Sequence, residues 1–110
     1  RRLTLNSEFR RVRTEGRSVR GEMLTLGFLK NAESSAIARA GFITSRRVGR
    51  AVVRNRIRRR LREIFRKHQH KISGGIWIVT IASSRAAWAT FRALEDEWLR
   101  LGRRASIFAA

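Results

Sequence analysis

The sequence predicts an α+β protein, a single-domain α/β sandwich in which a central sheet of about four strands packs against three helices. Helical and strand-like hydrophobic patterns follow one another in the order helix, strands, helix, strand, helix, which is typical of one sheet covered by helices. A length of 110 residues suffices for one domain, residues 1–110, and is too short for two.

A short helix is predicted near the start of the chain. Asn6 or Ser7 can cap its first turn, in which the negative charge of Glu8 is favourable, and Gly16 can end it. This helix is expected to make about two turns, and the strands of the sheet follow it.

Apolar segments of strand length occupy residues 23–29, 36–44 and 76–82. The first two are separated by a turn-like stretch, so we expect them to pair as an antiparallel hairpin. The third follows a long helical pattern at 51–67. A helix that joins two parallel neighbouring strands normally makes a right-handed crossover.

The last element is predicted to be an amphipathic helix that begins near Ser83 or Ser84, both good capping residues. Its apolar residues recur at spacings of three and four, which defines one buried face. They are Trp88, Phe91, Leu94, Trp98 and Leu101. The sequence therefore favours the core for both tryptophans of this helix, with base stacking as the alternative, whereas Trp77 could face either the core or an open cleft.

The net charge indicates a polyanionic partner. The chain carries 26 basic and 8 acidic residues, a formal charge of +18, and is 43% hydrophobic, which is too apolar for a disordered basic tail. Cysteine is absent, so disulfides and thiolate metal sites are excluded. No apolar run approaches the roughly 18 to 20 residues that span a membrane. We expect a cytoplasmic protein that binds nucleic acid.

The helix predicted at residues 51–67 has a dry face and a basic face. At about 100° per residue, its apolar residues fall within roughly 120°. The basic face is formed by Arg54, Asn55, Arg58, Arg59, Arg62 and Arg66. Arg56 lies at the border, and the stem of Arg60 is expected to lie on the core with its head turned outward. Glu63 alone could neutralise these arginines locally, so the broad basic face favours recognition of a folded RNA backbone over a DNA groove.

One segment resembles a known family signature. Residues 45–59 read Ser-Arg-Arg-Val-Gly-Arg-Ala-Val-Val-Arg-Asn-Arg-Ile-Arg-Arg and are similar to the signature of the bacterial ribonuclease P protein component. Residues 5–16 resemble the first helix of that family, and residues 39–42 its entry strand. The resemblance covers the chain from about Leu3 to Leu101. It also implies a left-handed βαβ crossover around the long helix, against the right-handed default.

The function implied by this resemblance is that of the protein subunit of ribonuclease P. Such a subunit binds the catalytic RNA and the 5′ leader of precursor tRNA, and it assists endonucleolytic removal of the leader. The RNA performs the chemistry with Mg²⁺ that the RNA holds, so no catalytic residue and no protein-held cofactor are expected. The sequence indicates no obligate protein partner and no membrane partner.

The resemblance also implies site residues. Those expected to face the RNA subunit are Arg46, Arg47, Arg50, Arg54, Asn55, Arg56, Arg58, Arg59 and Arg62. Asn55 is further implied to lie near a bound metal ion. A leader cleft is implied between the sheet face and the long helix, with Phe9, Arg13 and Phe28 as candidate contacts. Because Arg13 replaces an expected aromatic and Gly27 precedes Phe28, we expect leader recognition to rely more on charge than on stacking.

Three alternatives compete with this interpretation. A ribosomal or assembly protein would be equally small and basic. A self-sufficient endoribonuclease would need clustered carboxylates, but Glu95, Asp96 and Glu97 are consecutive, so on a helix they should point apart and face arginines or solvent. His68 and His70 should likewise splay and be exposed or make weak phosphate contacts. A membrane-surface helix would need exposed aromatic anchors on its apolar face.

Overall fold

The computed structural model describes residues 6–30 and 38–109 and confirms the α+β class. Its helices are α1 (Asn6–Glu15), η1 (Arg46–Val48), α2 (Ala51–His68), η2 (Gln69–Lys71), η3 (Ser84–Trp88) and α3 (Phe91–Arg104), where η marks a 3₁₀ helix. Its strands are β1 (Arg17–Arg20), β2 (Leu24–Leu29), β3 (Arg39–Thr44) and β4 (Trp77–Ala82). The order is therefore that of the predicted sandwich, with all four strands in one sheet.

The strand order, β1-β2-β4-β3, contradicts the predicted hairpin between the second and third strands. The antiparallel hairpin is instead formed by β1 and β2, where Val19 lies opposite Leu26. Strand β4 lies between β2, its antiparallel neighbour, and β3, its parallel neighbour. The physical reason is the burial of β4 on both faces, which suits a central position. Helix α2 joins the parallel pair, and the left-handedness of this connection stays a prediction.

The two faces of the sheet are covered to different extents. Side chains of β2 alternate, so Leu24, Leu26 and Phe28 enter the main core beneath α2 and α3. The opposite face carries a small cluster of Val12, Trp77 and Val79 beneath α1. Because α1 is the one described helix that packs on this face, part of the face stays open.

Helix α3 begins later than predicted, and Trp88 is not in the core. The stretch after β4 forms η3, and α3 starts at Phe91 with Thr90 as its cap; the Thr90 hydroxyl accepts a hydrogen bond from the Ala93 amide at 3.1 Å. Trp88 is 89% exposed. The spacing of three and four misled the prediction because the chain turns between Trp88 and Phe91. Trp98 is fully buried, as predicted, and its indole N–H donates to Thr80 Oγ1.

Two polar residues are buried, although Glu97 was expected to face arginines or solvent and His68 to be exposed or to contact phosphate weakly. Glu97 is 2% exposed, and its carboxylate accepts the backbone N–H groups of Met23 and Leu24 at 2.8 and 2.7 Å. His68 stacks on Trp98, and its Nε2 lies 2.9 Å from a Glu95 carboxylate oxygen. Glu95 and Glu97 thus stabilise the fold, while Asp96 and His70 are exposed.

Candidate nucleic-acid interface

The cationic surface begins in the loop before α2. Val48 is buried and anchors η1, which leaves Arg46 and Arg47 exposed. Gly49 then adopts φ +142°, a conformation that L side chains rarely take, and a Cβ there would lie 3.4 Å from Val53. The turn at Gly49 is therefore what allows the arginines of η1 to continue directly into the basic helix.

Helix α2 has the predicted dry face. Ile57, Leu61 and Ile64 are fully buried in the main core. On the solvent side, Asn55, Arg59 and Arg62 are exposed. Arg54 and Arg58 are half-buried, so they lie on the flank of the basic face and not at its centre.

Two arginines of α2 donate hydrogen bonds to backbone carbonyls in and after η3. Arg56 donates to the Ala87 carbonyl at 3.0 Å, and Arg60 donates to the Ala89 carbonyl at 2.7 Å. Arg60 thus behaves as expected, with its head at the edge of the core. Arg56, predicted to face RNA, instead has a guanidinium group that is partly engaged within the protein. The two side chains bind η3 and the residue after it to α2.

Few carboxylates are available to the basic face. Glu63 pairs with Arg66, whose hydrogen bond lowers the pKa of Glu63, and Glu95 pairs with Lys67 at 2.9 Å. Among the described residues, no carboxylate lies at ion-pair distance from Arg46, Arg47, Arg50, Arg54 or Arg59. The first turn of α2 also contains no acid, so the positive end of the helix dipole adds to this charge. The surface is suited to polyanions.

A second candidate surface is a groove of about 700 Å³ between α1 and the open face of the sheet. Its floor includes Gly27, Ile43 and Ile81, the last two each 39% exposed. Phe9 and Arg13, two of the three candidate leader contacts, line it. Neither isoleucine was among the predicted site residues, although alternation along β3 and β4 could have indicated them.

The location of this groove corrects two predictions. It lies between the sheet and α1, whereas the face toward α2 is filled by the core. Phe28 belongs to that core and is 8% exposed, because successive residues of β2 face opposite sides of the sheet and Gly27 faces the groove. Phe28 is therefore not a groove residue.

Trp77 lies beyond the groove under α1. It is 7% exposed and packs with Val12 and Val79. The guanidinium groups of Arg11 and Arg39 lie 5.4 and 5.6 Å from its ring centroid. Trp77 therefore lies on the α1 face of the sheet and not in the main core, and the protein covers it.

The metal-binding potential of the described residues is limited to scattered side chains. No group of three or more His, Asp or Glu residues in the described ranges is arranged to hold one. Asn55 Oδ1, the atom that a metal would use, accepts a hydrogen bond from the cationic Arg58 side chain. This neighbourhood does not fit a metal bound by the protein alone. Among the described helices, none is both long and apolar enough to cross a bilayer.

The fold and the surface together define a small α+β protein with a cationic helix on one side of a sheet and a groove on the other. The family model described as Ribonuclease P matches residues 1–106. A ribonuclease P protein component of Roseiflexus castenholzii is 42% identical over 107 residues, covering 96% of this chain and 86% of the relative. That of Syntrophomonas wolfei is 32% identical, covering 98% and 89%.

Solved structures agree with the sequence relatives. The RNase P protein of Staphylococcus aureus superposes with a TM-score of 0.89 at 29% identity, covering 98% of this chain and 97% of that one. The RNase P protein of Thermotoga maritima gives 0.83 at 30% identity, covering 94% and 96%. The chain therefore belongs to the ribonuclease P protein component family.

Proposed function

We propose that this chain binds the catalytic RNA of ribonuclease P through η1 and α2 and holds the 5′ leader of precursor tRNA in the groove beside α1. In this way it assists endonucleolytic removal of the leader, which produces mature tRNA 5′ ends in the cytoplasm. The observation that carries the proposal is the continuous arginine surface in a chain of this family.

The RNA-subunit surface comprises the residues whose side chains lie on η1, the loop after it and the exposed and flanking sides of α2. They are Arg46, Arg47, Arg50, Arg54, Asn55, Arg58, Arg59 and Arg62, with Arg56 contributing through the part of its guanidinium group not bound to Ala87. Guanidinium groups bind phosphates in a bidentate manner and suit backbone recognition. Phosphate binding also removes the repulsion between neighbouring arginines on one helix.

The leader site is the groove between α1 and the sheet. Its apolar floor can contact bases, while Arg13 and Arg17 at its rim can contact phosphates. The absent side chain at Gly27 keeps the floor open. Phe9, which is half-buried, offers one aromatic ring for stacking.

Catalysis is assigned to the RNA subunit. Mg²⁺ held by the RNA would supply the activated nucleophile and stabilise the leaving oxygen. The protein neutralises RNA phosphates and orients the leader. A protein-held catalytic metal is not part of the proposal, because Asn55 already accepts a hydrogen bond from a guanidinium group.

The decisive experiment is cleavage of a 5′-extended precursor tRNA at low Mg²⁺. A bacterial ribonuclease P RNA, this protein, and their mixture are compared. We expect cleavage at the mature 5′ end in the mixture alone. Binding of the RNA without any gain in cleavage would favour a ribosomal or assembly protein, and cleavage by the protein alone would favour a self-sufficient nuclease.

The surface itself is tested by the salt dependence of RNA binding. The plot of log K against log salt has a negative slope for RNA binding. Replacing Arg46 and Arg59 with glutamine should make this slope shallower by about one unit for each phosphate that the variant no longer neutralises. The matched control replaces Arg103 and Arg104, which are also exposed but lie on α3. Equal slopes in the test and control variants would contradict the assignment of the binding surface.

A further inference from the structure

Trp88 is the one large aromatic side chain in the described residues that the fold leaves exposed. It is 89% exposed, while Trp77 and Trp98 are 7% and 0% exposed. Exposing an indole sacrifices a large burial area, since tryptophan is among the residues with most to gain from the core. Neither the observed core nor the groove beside α1 contains this side chain.

The structure holds the backbone on both sides of Trp88 next to α2. Residues on both sides are fixed to α2, since Arg56 binds the Ala87 carbonyl and Arg60 binds the Ala89 carbonyl. Helix η3 also packs against η1, and Ala86 of η3 is fully buried. The indole thus projects from a rigid base at the edge of the arginine surface.

The charge around Trp88 selects the class of partner. Residues 34–62 and 72–94, which contain η1, most of α2 and η3, include no acidic residue. An exposed indole beside clustered guanidinium groups is the arrangement by which proteins stack unpaired bases and bind the adjoining phosphates. A protein partner would have to bring an acidic surface, and a second copy of this chain, with its charge of +18, would be repelled.

We propose that Trp88 is a stacking platform for an unpaired nucleobase of the RNA bound by η1 and α2. This inference rests on the proposed function and adds to it a contact that reads single-stranded RNA. The arginines supply phosphate contacts and the indole supplies one base contact. The surface would thereby prefer RNA with an unpaired base near a folded segment over a continuous duplex.

Fluorescence provides a direct test, because Trp88 is the exposed tryptophan and stacking on a base quenches indole emission. A bacterial ribonuclease P RNA and a 12-nucleotide oligo(U) are titrated into the protein, and a 12-base-pair RNA duplex of mixed sequence serves as the comparison. We expect quenching with the first two and none beyond dilution with the duplex. The Trp88→Phe variant should lose the quenching signal.

Affinity separates stacking from charge. Trp88→Ala should weaken binding of both single-stranded probes by roughly 5- to 100-fold, while Trp88→Phe should retain most of it because a phenyl ring also stacks. The salt slope should not change, since the variant neutralises the same phosphates as the parent. Val52→Ala is the matched control, because Val52 is 74% exposed on the first turn of α2 and has no aromatic face. It should bind as the parent protein does.

The outcomes distinguish this inference from the proposed function. If Trp88→Ala binds as tightly as the parent while the Arg46 and Arg59 variants have a reduced salt slope, the stacking platform is wrong and the RNA surface stands. If none of these variants alters binding, the RNA surface itself is wrong. If Trp88→Ala changes sedimentation of the protein alone and not RNA affinity, the indole is a protein contact and the proposal fails.

Discussion

Helices α2 and α3 pack side by side on the same face of the sheet, but their ends and charges are stabilised differently. Helix α3 is capped by the Thr90 side chain, and its carboxylates Glu95 and Glu97 bind groups of the fold. Helix α2 begins after Arg50 without a side-chain cap, and most of its arginines face no carboxylate of the described residues. Glu95 and Glu97 of α3 stabilise the fold, whereas most of the basic side chains of α2 are available to a polyanionic partner.

This contrast predicts which helix is less stable in the absence of RNA. Like charges at helical spacing destabilise an isolated helix by a few tenths of a kcal/mol per pair. Helix α2 carries this cost on its outer side, while its inner side holds Ile57, Leu61 and Ile64 at 0% exposure. We therefore expect the uncapped first turn of α2 to be less protected from hydrogen exchange than the first turn of α3.

The largest effect is expected at Glu97. Replacing it with alanine would leave the amides of Met23 and Leu24 without their acceptor in a partly buried turn, so the free energy of unfolding should fall by about 3–5 kcal/mol. Urea denaturation measures this decrease. The neighbouring variant Asp96→Ala, at an exposed position, should change stability little. Equal stability of the two variants would refute the role of the buried carboxylate.

A smaller effect is expected from adding a side-chain cap to α2 or removing the side-chain cap of α3. Arg50→Asp should raise the free energy of unfolding by about 0.5–2 kcal/mol, because aspartate caps the first turn and complements the helix dipole. The same change should weaken RNA binding, since attraction to a phosphate becomes repulsion. Thr90→Ala provides the converse, a decrease of about 1 kcal/mol in stability through α3 with unchanged RNA affinity. Tighter RNA binding by Arg50→Asp would contradict the assignment of Arg50 to the RNA surface.

The features that the sequence predicted correctly depend on local pattern. The apolar spacing of α2 located its dry face, and the burial of Trp98 followed from helical spacing in α3. Strand β1 was not located because Arg-Ser-Val-Arg contains one apolar residue, and its pairing with β2 supplies what its composition lacks.

The incorrect predictions each depend on contacts distant in sequence. Trp88 fits the spacing of α3, but guanidinium groups some thirty residues away bind the carbonyls of Ala87 and Ala89. The insertion of β4 between β2 and β3 and the acceptance of backbone amides by Glu97 are likewise long-range. The same holds for Phe28, whose direction depends on which sheet face α1 covers. One-dimensional periodicity does not contain this information.

The smallest effect separates two ion pairs that both involve α2. A hydrogen bond from Lys67, and then one from His68, lowers the pKa of Glu95 below its usual 4.5. The pKa of Glu63 is also lowered, by Arg66, but that pair lies at the surface. A carboxylate whose pKa is lower in the folded state stabilises the protein above its unfolded pKa, and this contribution disappears as the pH falls through the folded pKa.

Removing Glu95 should therefore flatten the acid side of the stability curve. We expect Glu95→Gln to be less stable than the parent at pH 7 and to converge with it as the pH falls through the lowered pKa of Glu95 in the folded protein. Glu63→Gln should show a weaker dependence that disappears in about 1 M salt, because surface pairs are screened. The Glu95 effect should survive that salt, since its carboxylate is 13% exposed and joins α3 to the end of α2. If salt abolished both effects, the Glu95 pair would be no more integral to the fold than the surface pair on α2.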